Sequence, residues 1–243
     1  MSPPILLNNL DHQDLRITLG HDPAFGDAVN QTLVFPTEYE ALQRDYPILF
    51  RAKAGGGYHS VVLLGFDRDE NLFLEDGRWK ARSIPALHQR GPFSIGLPGR
   101  DPDGTPSGEP MIHVDLDHPR VTAPGGEPVF LPHGGNAPYL DHVSKVLRSI
   151  FLGSEASGPM FAAFERFGLI EPVTLEVDLG NGRHVAIPDC FTIGRERLRG
   201  LDGDAAAALH AQGFLQPAMW VASSLGNLAH LIDLKNARTA QFG

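Results

Sequence analysis

The most suggestive chemical pattern in the sequence is the pair His113 and Asp115, which lies in an alternating segment predicted to be a strand. Alternation places residues 113 and 115 on the same face of a strand. With a third ligand from His133, His142 or His184, the pair would form the two-histidine, one-carboxylate site of Fe(II) oxygenases. Because a chain with eleven histidines can contain His-x-Asp by chance, we favour hydrogen-bonding side chains at the surface and keep the oxygenase as the alternative.

A second candidate site is a predicted strand-to-helix corner that carries Trp79, Arg82 and Arg90. With the aromatic side chains of Tyr46 and Phe93, these residues could line a small-ligand pocket or a peptide groove. The simpler interpretation is a core with a polar rim. If the chain binds a ligand in this region, we expect Trp79, Arg82 and Arg90 to contact it.

Several common catalytic motifs are missing from the sequence. Neither Ser60 nor the pair Ser223-Ser224 lies in the Gly-x-Ser-x-Gly pattern of α/β-hydrolases. The run Gly55–Gly57 is not followed by Lys-Ser/Thr and does not open a predicted helix, so it is neither a P-loop nor a dinucleotide site. The single cysteine, Cys190, has apolar neighbours that predict a buried thiol. We therefore expect no catalytic residues and no cofactor, with Fe(II) as the alternative.

The charge and hydropathy of the chain limit its partners. The 243 residues carry a formal net charge of −9, which disfavours nucleic acid and anionic lipid. No apolar run approaches the ~20 residues needed to span a bilayer, and the first residues lack the pattern of a signal peptide. We expect a cytoplasmic protein that does not insert into membranes and that binds a protein partner or a small ligand.

The order of the predicted elements indicates an α+β fold, with a strand-rich N-terminal half that forms an antiparallel sheet. Residues 48–53 and 58–66 read as strands, and the apolar run 61–64 is typical of a strand buried on both faces. The C-terminal half is predicted to be helical around one β-hairpin at residues 172–189, with Asn181-Gly182 as its turn.

Several helical segments are predicted in the C-terminal half, including short ones within residues 191–201 and 202–213. Apolar spacing favours helices over residues 139–153 and 158–167, with Gly153 as the end of the first. A third, long and largely apolar helix is predicted from residue 217 to residue 238, and its apolar face predicts a homodimer or a tight partner contact through this C-terminal helix.

We expect a single domain over residues 1–243. It can be subdivided into a strand-rich part (1–98) and a part with helices and the hairpin (111–243). The Pro- and Gly-rich loop 99–110 between them is predicted to be mobile.

The densest apolar part of the sequence also carries a family resemblance. The chain resembles the SapC family of bacterial proteins in an aromatic-proline element, a strand pair, an Asp-Gly-x-Trp turn and a helix entry that ends in Pro-Phe. These motifs are Tyr46-Pro47, Gly65 with Asn71-Leu72-Phe73, Asp76-Gly77 with Trp79, Ile84-Pro85-Ala86, and Pro92-Phe93. The segments GLIEP, FTIGRERLRGLDGDAAAALHAQGFL and SSLGNLAHLIDL extend the resemblance to the C-terminal part. It departs from the family pattern at residues 113–119, where an acidic segment is expected.

The resemblance implies which cellular systems the protein is associated with, but it implies no catalysed reaction. The family is linked by its name to the export or assembly of surface-layer proteins, and relatives occur beside outer-membrane receptors, halogenase-like flavoproteins and cupin-like dioxygenases. It supplies no catalytic residue. We therefore expect a non-enzymatic accessory or binding protein associated with such export, uptake, halogenase or oxygenase systems.

Overall fold

A computed structural model describes residues 3–96, 110–122, 125–179 and 183–242. The chain forms two compact units that interleave in sequence. The first unit comprises the residues up to Asp27 and Ala86–Phe151, and the second comprises Ala28–Pro85 and the residues from Leu152 onwards. These boundaries differ from the subdivision at residues 99–110, and residues 97–109 lie outside the described ranges. The single domain stays a prediction.

The strands of the described ranges are short, except for the two that form the predicted hairpin. They are β1 (Ile5–Leu6), β2 (Arg16–Ile17), β3 (Gln31–Val34), β4 (Ile48–Ala52), β5 (Tyr58–Leu63), β6 (Leu74–Glu75), β7 (Arg78–Trp79), β8 (Phe93–Gly96), β9 (Met111–Val114), β10 (Val121–Thr122), β11 (Glu127–Pro128), β12 (Ile170–Asp178) and β13 (His184–Ile193).

Most of the helices follow residue 137. They are α1 (Tyr39–Leu42), α2 (Ala86–Gln89), α3 (Pro138–Arg166), α4 (Arg195–Arg199), α5 (Gly203–Ala211), α6 (Leu215–Ser224) and α7 (Asn227–Phe242), with single 3-10 turns at Pro23–Phe25 and Pro36–Glu38. Strands dominate the N-terminal half and helices the C-terminal half, and all the described strand pairs are antiparallel. The predicted α+β class is confirmed.

A five-stranded sheet with the order β12-β13-β4-β5-β3 forms the centre of the second unit. The apolar run that predicted a buried strand lies in β5, where Val62 pairs with Ile48 of β4 and Thr32 of β3. Phe50 of β4 meets Phe161 and Phe164 of α3, with ring centroids 5.0 Å and 6.3 Å from its own. The predicted hairpin is present as β12 and β13, and its turn at residues 181–182 lies outside the described residues.

The first unit contains two three-stranded sheets, with the orders β1-β9-β8 and β10-β2-β11. Its core combines residues of these strands with the first half of α3: Ile17, Phe93, Val114, Val129, Phe130, Leu140, Val143 and Leu147.

The predicted helix end at Gly153 is wrong, because α3 continues to Arg166. Gly153 is buried where the helix packs against the segment before α1. A Cβ atom at this position would lie 2.5 Å from the Cβ of Phe35 and 2.5 Å from the Oγ1 of Thr37. The glycine therefore permits close packing and does not end the helix. This requirement is tertiary, so the helical periodicity did not predict it.

The predicted C-terminal helix is two helices, α6 and α7. Lys235 of α7 donates to Asp67 and Glu70 at 2.7 Å and 2.6 Å. Arg238 donates to backbone carbonyls of residues 71, 72 and 74. This face of α7 is thus occupied within the chain, and the homodimer through the C-terminal helix stays a prediction. None of the helices in the described part has the combination of length and apolarity that crossing a membrane requires.

Candidate functional site

The most highly connected ionisable group of the first unit is the buried carboxylate of Asp27. One of its oxygens accepts a hydrogen bond from Nδ1 of His88 at 2.8 Å. The other accepts from the Asp22 amide and Nη2 of Arg120, both at 3.0 Å, and from Nδ1 of His21 at 3.3 Å. We call Asp27, His21, His88 and Arg120 the Asp27 cluster.

The buried Arg120 side chain extends the Asp27 cluster. Its guanidinium lies over the ring of Phe25, 4.6 Å from the centroid, and also donates to the carbonyl of Gly20. Its backbone amide donates to Nδ1 of His118 at 3.1 Å. Burial lowers the pKa of His118, and the nearby Arg120 lowers it further.

Electrostatics keep the Asp27 carboxylate ionised. Burial alone would raise its pKa, but hydrogen bonds from His21, His88 and the Asp22 amide outweigh this effect and hold the pKa far below its usual range. The resulting negative charge lies beside the buried positive charge of Arg120. An ion pair of this kind is stabilising only when its hydrogen bonds are satisfied, and the four donors around Asp27 meet that condition.

The Asp27 cluster is better suited to holding structure than to proton transfer. Four donors face the Asp27 carboxylate, three on one oxygen and one on the other. Because they hold its pKa far below the usual range, the carboxylate is a weak base. The hydrogen bonds join the segment 20–27, helix α2 and the segment before β10, which are distant in sequence. They also fix Nδ1 of each imidazole as its protonated nitrogen, since only a donor can face the carboxylate.

The predicted ligand-binding residues at the strand-to-helix corner lie in different units. Trp79 and Arg82 belong to the second unit and Arg90 to the first. The indole of Trp79 is buried, and its Nε1 donates to the hydroxyl of Tyr46 at 2.6 Å. That hydroxyl donates in turn to the carbonyl of Ser83 at 2.7 Å. Trp79 is therefore part of a core hydrogen-bond network.

The two arginines of this set have contrasting surroundings. Arg82 lies 3.9 Å from the carboxylate of Asp45, and its side chain is 75 % exposed. Arg90 is part-buried and donates to the carbonyl of Phe93 at 2.6 Å, and burial lowers its pKa. A ligand-binding role for Trp79, Arg82 and Arg90 stays a prediction.

The His113–Asp115 pair does not lie on one strand. β9 ends at Val114, and the Asp115 carboxylate caps the following turn by accepting from the Asp117 amide at 3.0 Å. The ring of His113 packs so closely against Gly96 of the neighbouring β8 that a Cβ atom there would collide with it. The strand therefore ends one residue before Asp115, so strand alternation does not place His113 and Asp115 on a shared face.

The three candidates for a third iron ligand are dispersed. His133 and His142 are exposed residues of the first unit, while His184 is an exposed residue of β13 in the second. Across the described ranges, no three or more His, Cys, Asp or Glu side chains are grouped so that they could hold a metal ion. The Fe(II) alternative stays a prediction. The predicted burial of Cys190 is confirmed, and burial raises the pKa of its thiol.

An apolar groove of about 420 Å³ lies in the first unit beside β1. β1 is an edge strand, which among the described residues pairs only with β9. Its two residues, Ile5 and Leu6, are 42 % and 44 % exposed, and Met111 of β9 is 50 % exposed. Leu6, Met111, Phe130 and Leu140 line the groove. We call this feature the β1 groove.

Acidic side chains flank the β1 groove, although the described residues that line it carry no charge. Asn8 and Asn136 line the groove, and each donates its amide to an aspartate outside it, Asp11 at 2.9 Å and Asp141 at 3.2 Å. An apolar segment with basic residues would complement this surface.

Sequence reasoning missed both the Asp27 cluster and the β1 groove. Asp27 and Arg120 are 93 positions apart, and no local pattern relates them. The one local signal is the Asp22-Pro23 pair, because Asp22 caps a 3-10 turn that leads into Asp27. The β1 groove was missed because β1 has only two residues, Ile5 and Leu6, too few to show an alternating pattern.

A family model described as SapC matches residues 7–231, which is most of the chain. No curated protein and no solved structure matches the chain significantly.

Proposed function

Because this chain belongs to the SapC family, we propose that it is a non-enzymatic accessory protein that binds an extended segment of a partner protein at the β1 groove. The observation that supports this proposal is an edge strand whose residues Ile5 and Leu6 are both exposed beside an apolar groove. Exposed apolar surface next to a concave site is typical of interaction sites.

The geometry of the edge favours a segment in the β conformation. An edge strand presents unpaired backbone groups to which another chain can add a strand, and alternate side chains of that strand enter pockets. β1 offers the backbone, and the groove offers the pocket. The flanking Asp11 and Asp141, with a chain net charge of −9, favour a partner segment in which basic and apolar residues alternate.

We place this binding protein in the cytoplasm, beside a surface-layer or outer-membrane export or uptake system or a halogenase or oxygenase partner. This setting rests on the family alone. We also propose a homodimer or a tight partner contact through the C-terminal helix, which rests on the apolar spacing of that segment. The proposed role needs no cofactor.

A labelled peptide that alternates valine and lysine tests the β1 groove by fluorescence anisotropy. We expect it to bind, and we expect the double variant Leu6→Ala, Met111→Ala to weaken binding about tenfold, as for loss of a central apolar contact. The matched control is Leu19→Ala, Leu116→Ala, which removes two other exposed leucines of the same unit that do not line the groove.

Equal binding of a valine–glutamate peptide, or no effect of the Leu6 and Met111 replacements, would contradict the proposal. Light scattering on the chain alone gives its oligomeric state, and a monomer at high micromolar concentration would count against the homodimer.

Iron analysis of protein purified without a histidine tag separates the binding role from the Fe(II) alternative. We expect less than stoichiometric iron and no change in metal content in His113→Ala. Stoichiometric iron that His113→Ala removes would instead establish a metal site, since loss of a ligand lowers metal affinity sharply.

A further inference from the structure

A second cavity, of about 490 Å³, lies wholly within the second unit. Residues of β3, β5 and α3 line it, together with Lys53 at the end of β4. Its volume is within the range of small-molecule sites, about 300–1,000 Å³. We call it the α3 pocket. It is separate from the β1 groove, so it concerns a different ligand from the one proposed above.

One part of the α3 pocket is apolar. Leu33, Val34 and Phe35, at the end of β3 and just beyond it, line this part together with Tyr58 of β5. The Tyr58 ring is held in place by Phe161 and Phe191, at centroid distances of 5.7 Å and 5.1 Å. This surface can accept a hydrocarbon or an aromatic body.

The other part carries hydrogen-bond donors and positive charge. Lys53 and His59 lie on the β4–β5 hairpin, and Ser154 and Ser157 lie one turn apart on α3. Ser157 donates to the carbonyl of Gly153 at 2.7 Å, so its single proton is already used and the free hydroxyl of this pair is that of Ser154. None of the described residues that line the pocket is acidic.

A buried hydroxyl pair adds a further polar group to the pocket lining. Ser60 is 3 % exposed and lines the pocket, and its Oγ is hydrogen-bonded to the hydroxyl of the fully buried Tyr39. Burial raises the pKa of Tyr39 well above its usual value, so its hydroxyl stays protonated. When Tyr39 donates to Ser60, the proton of Ser60 is available to a ligand oxygen.

The basic side chains in and near the polar part of the α3 pocket have no acidic partner among the described residues that line the pocket. Burial lowers the pKa of His59, and the charges of Lys53 and Arg51 lower it further. Arg51 is engaged with the carbonyl of Pro188 at 2.6 Å and with Gln31 at 3.1 Å. Lys53 lines the pocket and has no hydrogen bond or ion pair of its side chain in the described structure, so it can pair with a ligand.

We propose that the α3 pocket binds a small amphipathic carboxylate, with its apolar body against Leu33, Phe35 and Tyr58 and its carboxylate at Lys53 and the hydroxyls of Ser60 and Ser154. A single lysine with hydroxyl donors suits a monoanion. Bidentate recognition of a phosphate favours arginine, and the nearby Arg51 already donates to Pro188 and Gln31.

Gly158 offers a way to close the pocket without disturbing the fold. It lies within α3 and lines the pocket, and a Cβ atom added there would meet no other atom within 4 Å. A larger side chain would therefore extend into open space at the pocket. Because Pro159 follows, the new Cβ atom also lies near the proline ring, so folding of the variant is measured together with binding.

Isothermal titration calorimetry with octanoate tests the proposal. We expect octanoate to bind, and octanol and octylamine to bind at least about fivefold more weakly, since they lack the pairing charge. Lys53→Gln is expected to weaken octanoate binding about fivefold. The matched control Lys80→Gln removes an exposed lysine of the same unit that pairs with Glu75 and does not line the pocket.

Gly158→Leu is expected to abolish octanoate binding in a chain that still unfolds cooperatively, while Lys53→Gln tests the same pocket without changing the helix backbone. Retained affinity in Gly158→Leu, equal binding of octylamine, or no octanoate binding at millimolar concentration would overturn the proposal. Because the peptide assay reports on the β1 groove in the first unit and octanoate on the second unit, the two proposals can fail independently.

Discussion

Replacing Asp27 with asparagine is expected to lower the free energy of unfolding by about 3–5 kcal/mol, the usual cost of removing one partner of a buried ion pair. The replacement leaves the positive charge of the buried Arg120 uncompensated. It also puts an amide NH₂ group in place of one of the two oxygens, each of which now accepts a hydrogen bond from a histidine, His21 or His88. The loss is large because both defects are buried.

Chemical denaturation with urea measures this effect, with Asp14→Asn as the matched control. Asp14 is an exposed aspartate of the same unit, and we expect its replacement to change stability by less than about 0.5 kcal/mol. The double variant Asp27→Asn, Arg120→Met should recover part of the loss, because it removes the unpaired charge. The single variant Arg120→Met gives the stability lost on removing the arginine alone. If the double variant is less stable than Asp27→Asn by that same amount, charge pairing does not explain the effect.

The same cluster predicts how stability depends on pH. The pKa of Asp27 is lower in the folded state than in the unfolded chain, where an aspartate titrates near pH 4. The stabilisation is therefore fully present above about pH 4 and is lost as the pH falls towards the folded-state pKa. The difference in unfolding free energy between the wild type and Asp27→Asn should shrink as the pH falls below about 4. A constant difference from pH 7 to pH 2 would contradict this role of the carboxylate.

The parts of the fold that could be predicted are those with a local cause. The run Val61–Leu64 is apolar at every position, and it lies in or directly after β5, which pairs with β4 and β3 in the larger sheet. The two hairpin strands could be predicted from the alternation of apolar and polar residues within each strand. The pairing of the hairpin with β4, where Phe191 lies opposite Phe50, was not predictable in this way, because no local pattern specifies which strand the hairpin pairs with.

The parts that escaped prediction depend on contacts between distant segments. Gly153 has the typical identity of a helix end, but its function is to let Phe35 approach a helix that continues. Tryptophan is a residue type common in binding sites, but the indole of Trp79 is hydrogen-bonded within the core. Residue type restricts the chemistry of a side chain, and only the tertiary structure decides whether a ligand or the protein itself uses it.

Replacing Tyr46 with phenylalanine is expected to lower the free energy of unfolding by about 2–4 kcal/mol. The Tyr46 hydroxyl accepts from Nε1 of Trp79 and donates to the carbonyl of Ser83. Its removal leaves one buried donor and one acceptor without this partner, and each such loss costs about 1–3 kcal/mol. The ring should stay in place, because its edge contact with Phe73, at a centroid distance of 4.6 Å, does not involve the hydroxyl.

Urea denaturation and the near-ultraviolet circular dichroism of Trp79, in a Trp220→Phe background, measure this loss. The matched control is Tyr58→Phe, which removes the hydroxyl of a half-buried tyrosine that makes no hydrogen bond in the described structure. We expect Tyr58→Phe to change stability by less than about 0.5 kcal/mol. Similar effects of the two replacements would show that hydroxyl removal in general, and not the Trp79–Tyr46–Ser83 network, sets the cost. A large loss confined to Tyr46→Phe would show that Trp79 contributes to the core through its N–H group as well as its ring.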